Sequence, residues 1–231
     1  MTTIRYNGFS MSHKGMRMML FDMTIELQQA DFKDAKAMEP LLANLEHLLK
    51  VFNEHSELED EYILPLAEKN HPRLLAEFED QHAKDRSLSH NLYAAIANYH
   101  EAADDDARIL SGNILFYNFI SFITFNLDHM NKEETIFNEA IWPHYTDKEL
   151  INVHMEIGAS RTADQKQVAC YWMLKACNDA ELTSWLGGIK SILPDPEFQN
   201  MADKAIQLLS QIRWESIYNQ LEKKTAMLAS S

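Results

Sequence analysis

The chain is poor in the residues that make turns. Six glycines and six prolines are spread over 231 positions, too few for the closely spaced strands of an all-β fold. Leu, Ala, Glu, Met and Lys, which favour long helices, are abundant instead, so the expected fold class is all-α. Basic charge is also short: 21 Lys and Arg face 35 Asp and Glu, a net charge of −14, and no basic cluster breaks the pattern. A phosphate backbone would be repelled over most of such a surface, which excludes nucleic acid as an expected partner. Cysteine occurs only as Cys170 and Cys177. Seven residues apart on one helix, they stand roughly 10 Å apart at Cα, too far to bridge, so a reduced, cytoplasmic setting is expected. Met1 to Ser10 lacks an apolar signal-peptide core, and the most apolar stretch, Ile114 to Leu127, is interrupted by Asn118, Ser121, Thr124 and Asn126. Neither a signal peptide nor a membrane span is expected. Nucleophile elbow, Gly-rich phosphate loop and Cys-x-x-Cys pair are missing as well, leaving hydrolase, nucleotide-binding and zinc-finger readings unsupported.

What is present is helical periodicity, and 46% hydrophobic residues suffice for a real core. Ser12 is placed to cap a first helix to about Ala30, with Met16, Met19, Leu20, Met23 and Leu27 as its apolar stripe. A second helix carries Leu41, Leu42, Leu45, Leu48, Leu49 and Phe52 and should weaken at Pro65. Pro72 suits the first position of a third helix to about His100, and a fourth runs from about Ala107 to Trp142, where Pro143 stops it. Thr146 with Glu149 and Asn178 with Glu181 form capping boxes, and Pro194 and Pro196 precede a last amphipathic helix with Leu208, Ile212 and Ile217. The expected organisation is an up-down-up-down four-helix bundle over residues 12–143, with additional C-terminal helices over 144–231 packed on it.

The bundle segment contains one pattern twice. His13 is followed by His55-Ser-Glu-Leu-Glu59, and His82 is followed by His129-Met-Asn-Lys-Glu133. A His and a Glu four apart project from one helix face, about 40° apart around the axis, so both reach the same ion or ion pair. His13 and His82 lie early in their helices and His55 and His129 late in theirs, with roughly 20 residues, or about 30 Å of helix, to each turn. In an up-down-up-down bundle all six candidate ligands then fall in one layer. Imidazole suits iron, zinc, copper or nickel and a carboxylate can bridge two ions, so four His and two Glu best fit a pair of redox-active metals: two iron ions, with manganese or zinc as the alternative. The acidic run Leu58 to Glu61 reads otherwise as a solvated face, Asp60 and Glu61 included, and His47, His71, His90, His100, His144 and His154 read as structural or exposed.

These residues resemble the hemerythrin-like, or His-His-Glu cation-binding, family: a lone His on helix one, His-x-x-x-Glu on helix two, His on helix three and His-x-x-x-Glu on helix four. The resemblance covers residues 13 to 133. It implies a non-haem di-iron centre with Glu59 and Glu133 as bridging ligands and His13, His55, His82 and His129 as terminal ones, together with oxygen or iron handling. Oxygen-carrying hemerythrins have a second His one turn from the helix-three ligand, whereas here those positions are Phe78 and Arg86. Glu79, three residues before His82, is a candidate extra ligand in place of the missing one. Glu134 is the rival to Glu133, but it points about 140° from His129 in an ideal helix. The expected function is binding or sensing of oxygen, nitric oxide, peroxide or iron. The alternatives are a peroxidase, catalase-like or ferroxidase enzyme at the same centre, or a helical interaction module with a structural metal; there is room for a homo-oligomer in any of them.

Overall fold

The computed structural model describes residues 5–229, except for the side chains at 195, 197 and 224–229. The first four residues of the N-terminal stretch, Met1 to Ser10, lie outside this description. All regular structure among the described residues is helical. By internal contacts the chain forms two compact units: Met1–Ser10 with Met19–Thr162, and Met11–Met18 with Ala163–Ser231.

The first unit holds the bundle. Helix α1 (Ser10–Gln29) is unbroken through the division between the units. It begins two residues before the expected Ser12, because the Asn7 carboxamide oxygen accepts from the backbone N–H groups of Phe9 and Ser10 at 3.1 and 3.2 Å. Helix α2 (Ala35–Leu58) is capped by Asp34, α3 (Pro72–His100) opens on its proline, and α4 (Asp105–Lys132) is capped by Asp104. The connections 30–34 and 101–104 are short, as antiparallel neighbours require. Leu20 and Leu27 of α1, Leu45 and Leu49 of α2, Phe78 and Leu92 of α3, and Phe119 and Phe122 of α4 are buried to 1% exposure or less. Helix α4 with its continuation to Ile141 has the length and hydropathy of a membrane span, and a third of that apolar window, 33%, is buried.

Two departures from regular helix shape the interior of this unit. Helix α2 does not weaken first at Pro65: it passes at Glu59 into a π-helical turn, Glu59–Ile63, closed by Leu64 N–H donating to Glu59 O, and then into a 3-10 turn, Leu64–Ala67. Helix α4 repeats the event at the matching place, with a π-turn at Glu133–Phe137 in which Asn138 N–H donates to Glu133 O, followed by the short α5 (Asn138–Ile141). Each wide turn starts on the Glu of a His-x-x-x-Glu pair. Single π-turns of this kind occur mostly where function demands a local change of phase.

Helix α6 (Asp147–Ser160) opens on the Thr146–Glu149 capping box and belongs to this unit, beyond the boundary expected at Pro143. Its buried Leu150 and Ile157 share a cluster with Ile63, Leu64, Phe78 and Phe137, so it covers both π-turns. Arg5 ties the chain's beginning to this corner, donating to Asp147 Oδ1 at 2.6 Å and to the carbonyls of Trp142 and Tyr145.

The second unit contains α7 (Ala163–Ala176), α8 (Asp179–Lys190), α9 (Asp195–Leu208) and α10 (Gln211–Ala229) around Leu174, Leu182, Leu186, Ala205 and Ile217. The single last helix expected across Leu208 and Ile212 is two helices. Leu209 turns extended (ψ 154°), and Ser210 then caps α10, its Oγ accepting from Arg213 N–H at 3.3 Å. Cys177 is 1% exposed, and burial, aided by Glu181, pushes its thiol up to about 11. A rise of about two pH units above the ordinary value means about 100-fold less thiolate near neutrality. Iodoacetamide at about pH 8 should leave Cys177 unmodified in the folded chain and alkylate it once denaturant is added, read by peptide mass spectrometry.

Candidate metal centre

The doubled pattern converges. Glu59, His82, His129 and Glu133, all buried, each offer a ligand atom within 4.8 Å of the others, and so do His13, His55 and Glu59. Glu59 belongs to both groups. Its Oε1 lies 3.0 Å from His55 Nε2 on its own helix, and its Oε2 lies 3.6 Å from His82 Nε2 on α3. Glu133 Oε1 stands 3.2 Å from His129 Nε2 and 3.7 Å from His82 Nε2. The two carboxylates thus alternate with imidazoles from three helices, and α1 contributes His13 at 0% exposure.

The donor set fits a cation. His82 Nε2 is buried without a hydrogen-bond partner, its two carboxylate neighbours lying beyond hydrogen-bond distance but close enough to share an ion with it. Burial alone would lower the His82 imidazole, yet Asp60, Glu133 and Glu59 raise it to about 10. Burial and Glu59 push the Glu133 carboxyl up, and His129 and His82 outweigh them and hold it below the ordinary carboxylate range. Two carboxylates at 3% and 1% exposure require positive charge beside them, which a metal ion supplies.

Two of the imidazoles are held from behind. His82 Nδ1 donates to Asp60 Oδ1 at 2.5 Å, and Arg86 donates to Asp60 Oδ2 at 3.2 Å. His129 Nδ1 donates to Gln81 Oε1 at 3.0 Å, and the ring lies against Phe125 and Phe78. Such contacts fix the tautomer and leave Nε2 to coordinate. Beneath the layer Asp85 is buried, accepting from Asn126 Nδ2 at 2.6 Å. Burial raises its carboxyl against the pull of Asn126, His129, His82 and His55.

Two expectations need correction. Asp60, half-exposed, does more than face solvent: bonding from i to i+5 puts more residues into a turn, so Asp60 follows Glu59 by less than the α-helical step of about 100° and comes round to His82. Glu79 is exposed and outside both donor groups. Position 78, one full turn from His82, is the inward one there, and Phe78 fills it at 1% exposure. His154, read as structural or exposed, is structural, and burial lowers its imidazole. Its Nδ1 donates to Leu150 O at 2.9 Å and its ring stands edge-on to Tyr6. It also covers Gly8 so closely that a Cβ there would fall 1.9 Å from Cε1, which only glycine avoids. Nothing in the spacing of the ligands signals a residue so far along the chain.

A four-helix bundle whose interior carries a layer of alternating imidazoles and carboxylates defines a metal-binding protein. The chain matches the model of the hemerythrin HHE cation binding domain over residues 6–141, more than half its length, and belongs to that family. Among curated proteins and solved structures none matches it.

Proposed function

We propose that the centre holds two iron ions and binds or senses a small ligand: dioxygen, nitric oxide or peroxide. The observation that carries this reading is the sharing of Glu59 between two donor groups, one with His13 and His55, the other with His82, His129 and Glu133. A carboxylate whose two oxygens face imidazoles of different helices is arranged as a bridge. Imidazole with carboxylate suits iron, with manganese or zinc as the alternative. Six donors do not complete the coordination of two ions, and Phe78 supplies no seventh, so positions remain for an exogenous ligand. Iron bound there would supply a redox-active centre for oxygen, nitric oxide or peroxide chemistry. The surrounding residues orient the imidazoles, and Phe78 and Phe125 keep water from the His129 side. The two free thiols suit a reducing, cytoplasmic setting.

Metal content per chain tests the proposal, on protein expressed with ample iron and purified without chelator or metal-binding tag. About two iron atoms per chain are expected. No transition metal at stoichiometry would sink it. A stoichiometric zinc ion that only raises thermal stability would favour a structural metal.

A further inference from the structure

Beside the Arg86–Asp60 contact, α2 and α3 flank a pocket of about 280 Å³ lined by Leu49, Lys50, Asn53, Arg86, Ser89, His90 and Tyr93. We propose that this pocket binds a small oxyanion, a phosphate or carboxylate group held by Arg86, Lys50 and the Ser89 hydroxyl.

Ser89 lies on α3 in the wall of this pocket. It is 6% exposed, and its Oγ is buried with no hydrogen-bond partner. Four helical threonines close on the carbonyl one turn back: Thr24 on Leu20 at 2.6 Å, Thr124 on Ile120 at 2.7 Å, Thr135 on Asn131 at 2.7 Å and Thr183 on Asp179 at 2.7 Å. Ser89 forgoes that bond and lines the pocket instead. A buried hydroxyl left unpaired is costly, so a polar occupant is expected beside it.

The other lining groups say which polarity. Arg86 spends one N–H on Asp60 at 3.2 Å, and its fork carries five donors. Lys50 is held only loosely by Glu54, at 3.7 Å, and its side chain is 68% exposed, so it can swing to a ligand. Burial and Glu46 push the Tyr93 phenol up, which keeps it a donor. Asn53 already turns its amide to Glu57 Oε1 at 2.8 Å. No Asp or Glu lines the cavity, in a chain where acidic residues outnumber basic ones. Two cations with two hydroxyls around this cavity match an oxyanion group.

Isothermal titration calorimetry on the full chain as purified, with inorganic phosphate in one arm and acetate in the other at equal ionic strength, tests the site. Saturable binding of one ion per chain is expected, and the tighter arm identifies the head group. Ser89→Ala and Lys50→Gln should each weaken it about tenfold. Ser89→Ala removes an unpaired buried hydroxyl, so the fold is expected to survive, as circular dichroism would verify. Neither variant touches the metal layer, so an ion bound at the metal would be unaffected by them. Absence of saturable binding in both arms, or binding unchanged in both variants, would overturn the proposal.

Discussion

Replacing Glu59 by alanine is expected to empty the whole centre, taking bound metal from about two ions per chain to near zero, while His129→Ala leaves about one. The asymmetry comes from where the two side chains stand. His129 serves one donor group, so its loss leaves His13, His55 and Glu59 in place. Glu59 serves both, with Oε1 at 3.0 Å from His55 and Oε2 at 3.6 Å from His82. In the metal-free chain Glu59→Ala removes the repulsion between Glu59 and Glu133 but also the Glu59 contacts to His55 and His82, so metal loss is read together with folding. Loss of both ions from a chain that still folds is the expected result. Elemental analysis beside a thermal melt checks both statements. If Glu59→Ala retained one ion per chain, the two groups would be independent and the bridging geometry wrong.

The ligand layer is legible in the sequence because both halves of the pattern depend on short-range helical geometry. A spacing of four puts His55 over Glu59 and His129 over Glu133 in any α-helix, and chain length between turns sets the height. Pattern and structure part where the helix stops being regular. The π-turns at Glu59 and Glu133 leave no mark in hydrophobic periodicity, so a step of about 100° per residue places Asp60 in solvent although that step does not hold there. Glu79 fails for the complementary reason: α3 is regular, and the inward position near His82 is one full turn away, at Phe78. His154 and the Ser89 pocket depend on tertiary contacts, which a single chain's pattern does not encode. The break at Leu209 is hidden because Leu208, Ile212 and Ile217 keep a helical spacing across it.

Asp60, carried to His82 by the π-turn, is the source of the second large effect. Asp60→Ala is expected to weaken metal binding by about 10- to 100-fold without removing a ligand. Asp60 Oδ1 receives the Nδ1 proton of His82 at 2.5 Å, which fixes the ring with Nε2 toward Glu59 and Glu133. Without it the imidazole loses both its tautomer and the negative charge that makes Nε2 a better donor. Asp60→Asn keeps an acceptor but no charge, so it should fall between wild type and Asp60→Ala. Arg86→Met should cost less again, because Arg86 only steadies Asp60 from a side chain that is 41% exposed. Competition with a chelator of known affinity gives the order, and the melting temperature of each metal-free variant shows whether the fold is involved. Asp60 acts by positioning His82 if metal affinity falls in that order while the metal-free melts stay together. An affinity unchanged in Asp60→Ala would show that the packing of α3 alone holds the ring.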